Sequence, residues 1–266
     1  MADAVASPSP SGPEAIAQAF AKGRPALVVY LMAGYPDRAG SLAAVRSAIE
    51  GGADIIELGV PYGDALADGP VIAQAAAAAM GASAGGFGLE ETIALADELP
   101  SEHPPALLMT YINPLLRMGF RPAAEKMRVA GVAGVIVPDM PPEMAGPWLA
   151  EAAGLATVFL VAPTSTPQRI EMVAEHSSGF VYCVSTTGVT GEREALATGI
   201  ERTVEAVRAH TQTPVAVGFG ISTPEQAAEV ARFADGVIVG SACVRRQHDP
   251  SALKALVEEL ARAVRY

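Results

Sequence analysis

Apolar runs of strand length recur along this chain, each followed by a Gly/Pro/Ser loop and then an Ala-rich helical stretch. The runs are Ala26–Met32, Asp54–Val60, Ala106–Ile112, Gly134–Val137, Ala156–Val161, Gly179–Val184, Pro214–Gly218 and Gly236–Val239. Helices are predicted over Ser41–Gly51, Pro70–Ala79 with Leu89–Leu99, Arg121–Ala130, Pro142–Ala153, Pro167–His176, Ala195–Ala209, Pro224–Phe233 and Pro250–Val264. Three of them open on a capping residue followed by proline: Thr166-Pro167, Thr223-Pro224 and Asp249-Pro250.

The strand runs are nearly continuous in apolar residues and do not alternate. Such strands are buried on both faces, which implies a parallel sheet covered by helices. The repeated units therefore imply an α/β protein with a (β/α)8 TIM barrel. An open doubly wound sheet is the main alternative. Its GxGxxG fingerprint is absent after the first strand, where VYLMAGYPD stands instead. A helical stretch over Glu14–Lys22 precedes that strand, so the barrel should carry an extra N-terminal helix. Residues 1–13 are rich in Ala, Ser and Pro and are expected to form a disordered tail. Residues 14–266 then form a single domain. Gly81–Gly88, inside the second crossover, reads as a loop.

Composition narrows the partners. The formal net charge is -11 over 266 residues, which argues against a nucleic-acid or anionic-membrane surface. An anionic ligand remains open, because backbone amides bind phosphate without net positive charge. Cys183 and Cys243 each stand within or just after an apolar run and read as small, buried, reduced residues. The four histidines are scattered, no Cys/His spacing suits a metal, and no His-based catalysis is expected. The N-terminus has neither a basic region nor an apolar core, and no run is long enough to span a membrane. A cytoplasmic location is expected.

Candidate chemistry begins at Ala53–Pro70, ADIIELGVPYGDALADGP. Period two along this strand places Ile55, Glu57 and Gly59 on one face and Ile56, Leu58 and Val60 on the other. If the second set packs on the helices, Glu57 points into the barrel. A buried carboxylate must find a partner or hold its proton with a raised pKa. Asp64 and Asp68 lie in turn sequences, and each alone reads as a turn former. Asp68 is distinguished by its place above the second strand, just before the proline that opens the next helix.

Glycine-rich loops follow the last three strands: Gly188–Gly191, Gly218–Thr223 and Gly240-Ser241. Barrel enzymes build phosphate sites from such loops, because glycine lets backbone N–H groups approach the oxygens. Tyr182, Tyr30 and Tyr111 sit in or at the end of predicted strands, as core packing or as pocket residues.

The motifs ELGVPYGDALADGP, MTYINP, VPDMPP, APTSTP, STTGVTG, VGFGIS and VGSACV occur in this order from about Ala26 to the end. Together they resemble the tryptophan synthase alpha chain family. The resemblance implies a barrel that cleaves indole-3-glycerol phosphate into indole and glyceraldehyde 3-phosphate. It also implies a beta-chain partner, an alpha2-beta2 heterotetramer, and pyridoxal phosphate in that partner with no cofactor in this chain. It makes Glu57 and Asp68 the catalytic pair, places Tyr182 and Tyr30 at the substrate, and makes Gly191, Gly220, Gly240 and Ser241 the phosphate-binding positions. The GVTGER segment, with its glycines and threonine, is expected to close over the site as a lid.

The chain departs from the family's usual PFSDPLADGP at Tyr62, Gly63 and Ala65, and Thr186 stands where some members carry arginine. Gly63 and Ala65 should loosen the loop before Asp68. A non-catalytic regulatory barrel and another phosphate-binding barrel, such as a phosphosugar isomerase, are the alternative readings. The intact acidic pair counts against the first, and strand interiors without lysine count against the second.

Overall fold

A computed structural model describes all residues except 1–11, 66–67, 82–85, 101, 186–192, 219 and 266; of 193–198 only the backbone is described. The strands are β1 (Ala26–Met32), β2 (Ile55–Gly59), β3 (Ala106–Met109), β4 (Gly134–Ile136), β5 (Ala156–Val158), β6 (Leu160–Val161), β7 (Val181–Val184), β8 (Val215–Gly218) and β9 (Gly236–Val239). Every pairing is parallel, in the order β5-β4-β3-β2-β1-β9-β8-β7-β6. The two ends of that order are pieces of one predicted strand, Ala156–Val161. Phe159 separates them, and its carbonyl still accepts from the Tyr182 N–H at 3.0 Å. The ring is thus nearly closed, as the eight βα units require.

The helices are α1 (Gly12–Phe20), α2 (Arg38–Glu50), α3 (Pro70–Gly81), α4 (Leu89–Ala96), α5 (Ile112–Met118), α6 (Phe120–Val129), α7 (Gly146–Leu149), α8 (Pro167–His176), α9 (Arg193–Arg208), α10 (Pro224–Ala231), α11 (Ser241–Val244) and α12 (Pro250–Ala263). The three predicted N-caps form. Thr166 accepts from the Arg169 N–H, Thr223 from the Gln226 N–H, and Asp249 from the N–H groups of Ser251 and Ala252. Each such cap stabilises its helix by about 1 kcal/mol.

Four elements differ from expectation. The third strand stops at Met109, because Tyr111 caps a short helix, α5, with Pro114 in its first turn. The helix expected over Pro142–Ala153 is a 3-10 turn, Pro142–Met144, followed by the single turn of α7. Gly146 and Pro147 account for the break, since proline has no N–H to continue the ladder. The short helix α11 directly after Gly240 was not expected. The N-terminal helix begins at Gly12, two residues inside the segment read as a tail.

Two apolar layers follow from the period-two strands. Leu27, Val29, Leu31, Ile56 and Leu58 pack outward against the helices. Val28, Tyr30, Met32, Ile55, Leu107, Val158, Phe180 and Tyr182 fill the barrel interior. Helix α1 packs against the same inner layer through Ile16, Ala19 and Phe20, with the Phe20 and Phe180 rings 5.7 Å apart. Before the N-terminal end of β2, Asp54 accepts from Lys22 Nζ (2.8 Å), from both Arg24 terminal nitrogens (2.8 and 2.9 Å), and from the Leu27 N–H (3.1 Å). Burial pushes its pKa up, but these donors outweigh burial and hold it well below the usual carboxylate range. Cys183 and Cys243 are both buried free thiols, and burial pushes each up to about 12.

Candidate active site

Strand β2 turns Glu57 inward, in register with Tyr30 of β1 and Leu107 of β3. The carboxyl is 0% exposed, and neither oxygen has a hydrogen-bond partner among the described residues. Burial, reinforced by the nearby charge of Asp68, pushes its pKa up to about 8. Such a group holds its proton at neutral pH.

Asp68 lies in the loop between β2 and α3 and accepts from the Tyr111 hydroxyl at 3.2 Å. Burial raises its pKa, and the Tyr111 bond opposes that rise. Tyr30 and Tyr182 are buried, with hydroxyls pushed well above the ordinary tyrosine value by burial and then by carboxylate charge: Asp68 and Glu57 act on Tyr30, and Glu57 on Tyr182. Each tyrosine leans over a glycine that ends the next strand. A Cβ on Gly59 would fall 2.0 Å from the Tyr30 hydroxyl oxygen, and one on Gly218 would fall 2.4 Å from that of Tyr182.

These groups line a cavity of about 420 Å³ at the C-terminal ends of the strands, a size that suits a small ligand. Glu57, Asp68, Tyr30 and Tyr182 belong to it, as do Gly220, Gly240 and Ser241. Seven of the eight predicted site residues therefore share one cavity. The eighth, Gly191, lies outside the described residues, with Thr186 and most of the GVTGER segment. Gly220 has φ 76°, a left-handed conformation that favours glycine. Among the described residues no group of three or more His, Cys, Asp or Glu is placed to hold a metal ion.

A barrel with such a cavity hosts many chemistries, so comparison with known proteins decides the family. A family model described as tryptophan synthase alpha chain matches residues 16–265. The chain is 47% identical over 246 residues to the tryptophan synthase alpha chain of Mycobacterium avium, covering 91% of this chain and 90% of that one. The chain belongs to the tryptophan synthase alpha chain family. The relative from Nocardia farcinica is 43% identical, with 94% of each chain covered. A crystal structure of M. tuberculosis tryptophan synthase in an aminoacrylate-bound form superposes with a TM-score of 0.86 at 41% identity, covering 94% of this chain and 99% of that chain. The tryptophan synthase alpha subunit of Legionella pneumophila superposes at 0.85 with 30% identity, covering 96% of this chain and 98% of that one.

As a tryptophan synthase alpha chain the protein is a lyase with a TIM barrel fold, and the alpha designation implies a beta-chain partner. Among the described residues no helix is long and apolar enough to cross a membrane.

The cavity also includes residues that sequence reasoning missed: Met109, Ser185, Ser222 and Arg245. Ser222 stood within a motif already quoted, GFGIST. Arg245 follows Ser241 by four residues, one helical turn. A helix predicted over 241–244 would have placed both on one face.

Proposed function

We propose that the chain cleaves indole-3-glycerol phosphate to indole and glyceraldehyde 3-phosphate in L-tryptophan biosynthesis, with Glu57 as general acid/base and Asp68 stabilising charge on the indole ring. One observation carries this reading. A fully buried carboxyl without a hydrogen-bond partner among the described residues, pushed up to about 8, faces a cavity shared with a second carboxylate and with glycine loops.

The retro-aldol step needs a proton delivered to indole C3 and another removed from the adjacent side-chain hydroxyl. Glu57 is protonated at neutral pH and gives its proton to C3. Positive charge then develops at the ring nitrogen, where an ionised Asp68 accepts the N–H hydrogen bond. The Tyr111 hydroxyl favours that ionised form. As the C3–carbon bond breaks, its electron pair returns to the ring, the hydroxyl carbon becomes the aldehyde, and the Glu57 carboxylate takes the hydroxyl proton. Glu57 ends protonated, ready for the next cycle.

Backbone N–H groups at Gly191, Gly220, Gly240 and Ser241 would hold the phosphate and fix the remote end of the substrate. Tyr30 and Tyr182 would wall the indole side. The beta chain is expected to carry the pyridoxal phosphate, this chain no cofactor, the assembly to be an alpha2-beta2 heterotetramer, and the compartment to be the cytoplasm. The regulatory-barrel reading gives way to family membership and to the presence of both acids in one cavity.

Glu57→Gln tests the assignment, since it keeps size and polarity but removes the titrating group. Indole release should be lost while binding of glycerol 3-phosphate is retained. Turnover within tenfold of the parent chain would overturn the acid/base role.

A further inference from the structure

We propose that Tyr62 is a positioning residue for Asp68, its hydroxyl clamped to Asn113 and its ring seated on Tyr111. The contacts form a continuous path from the surface to the site. Asn113 Nδ2 donates to the Tyr62 hydroxyl at 2.9 Å. The Tyr62 and Tyr111 rings lie 5.3 Å apart at 31°. The Tyr111 hydroxyl donates to Asp68 Oδ1 at 3.2 Å. The Asp139 carboxylate accepts from the Ile112 N–H at 2.9 Å, which fixes the backbone next to Tyr111 from the far side.

The residues after Tyr62 give this path a purpose. Gly63 comes next, and a Cβ there would meet nothing within 4 Å. Gly63 is exposed, and glycine gives the backbone more conformational freedom there than any other residue would. Asp68 follows five residues later in the same loop. A carboxylate that must meet a ring nitrogen in the transition state tolerates little misplacement. Tying Tyr62 to the first turn of α5 restores the constraint that Gly63 gives up. The ring supplies a contact that phenylalanine would also make, so the hydroxyl is the part that closes the clamp.

The inference rests on the charge-stabilising role of Asp68, and the test separates the two. Tyr62→Phe, Asn113→Ala, their double variant, Asp68→Asn and Asp68→Asn/Tyr62→Phe are compared in the full chain for kcat, KM and Tm. Tyr62→Phe and Asn113→Ala should each lower kcat about tenfold with KM and Tm unchanged. The double variant should be no slower than either single one, and Tyr62→Phe should have no further effect once Asp68 is asparagine. Gly63→Ala, which has room and stiffens the loop, should restore part of the kcat lost in Tyr62→Phe. Where residual rates are too low, the ¹³C titration of the Asp68 carboxyl replaces them, and it should move upward in Tyr62→Phe as the Tyr111 bond loosens.

Unchanged kcat in Tyr62→Phe, additive losses in the double variant, or an unmoved Asp68 titration would overturn the clamp. A full-rate Asp68→Asn would instead remove the underlying role of Asp68.

Discussion

Tyr30 occupies the space that a side chain at Gly59 would need: a Cβ there would fall 2.0 Å from the tyrosine hydroxyl oxygen. The two residues stand on neighbouring strands, and the smaller one makes the larger one's placement possible. Gly59→Ala should push the Tyr30 ring into the cavity. Overpacking of this kind costs about 1–3 kcal/mol. Indole-analogue binding should weaken markedly, measured by calorimetry, while glycerol 3-phosphate binding changes little. Gly59→Ala/Tyr30→Phe should recover part of the loss, because it removes the oxygen that clashes. Equal binding in all three chains would show that the ring was never held there.

The pH dependence of kcat/KM reports the Glu57 proton. Protonated Glu57 starts the reaction, so kcat/KM should fall as pH rises through about 8. Asp68 charge contributes to that raised value, so Asp68→Asn should shift the limb to lower pH on its residual activity. A limb that stays in place would mean that burial alone sets the Glu57 pKa. A rate that rises through the same range would mean that the carboxylate form is the starting state.

Stability should respond to pH in opposite senses at two carboxyls. Glu57 is raised in the folded chain, so the unfolded chain releases its proton first. Stability is therefore lost progressively from the ordinary glutamate range up to about 8. Asp54 is depressed in the folded chain, so its contribution is full above the ordinary aspartate range and is lost on acidification. In denaturant melts from pH 5 to pH 8, Glu57→Gln should gain steadily on the parent as pH rises. A constant difference across that range would contradict the raised Glu57 value.

Arg245 lines the cavity together with Gly220, Gly240 and Ser241. A guanidinium facing a phosphate adds charge to what the backbone supplies. Arg245→Ala should raise KM about tenfold with kcat nearly unchanged, the pattern of an interaction made equally in ground and transition states. Added salt should raise the parent KM more than that of the variant. Kinetic runs at two ionic strengths decide the matter; a loss confined to kcat would be the wrong pattern.

Much of this was legible in the chain because two signals were redundant. Strand period two put Glu57 inward, and the outer partners Ile56 and Leu58 do pack on the helices. Proline after a capping residue marked three helix starts to the residue. The failures are local and physical. Phe159 interrupts the pairing of a run whose only polar residue is Thr157, so hydrophobicity could not show the break at Phe159. Arg245 was missed because four residues are too few to display a helical period. The meeting of Asp68 with Tyr111 joins residues 43 positions apart, which no local pattern records. Placement above the second strand singled Asp68 out from Asp64, and the family resemblance gave it a catalytic role.

The interruption at Phe159 divides the molecule in a way that concerns the substrate. Strands β1–β5 form one block of continuous ladders and β6–β9 another. The blocks meet along β1 and β9, and at the other seam through the chain around Phe159, where Thr157 accepts from the Ser178 N–H, the Phe159 N–H donates to the Ser177 hydroxyl and the Phe159 carbonyl accepts from the Tyr182 N–H. Tyr30, Glu57 and Asp68 belong to the first block, whereas Tyr182, Gly220, Gly240, Ser241 and Arg245 belong to the second. A ligand whose ring lies on the acids and whose phosphate lies on the glycine loops would suture the two together. Its binding should slow amide exchange along the Phe159 seam, beginning at the Tyr182 N–H.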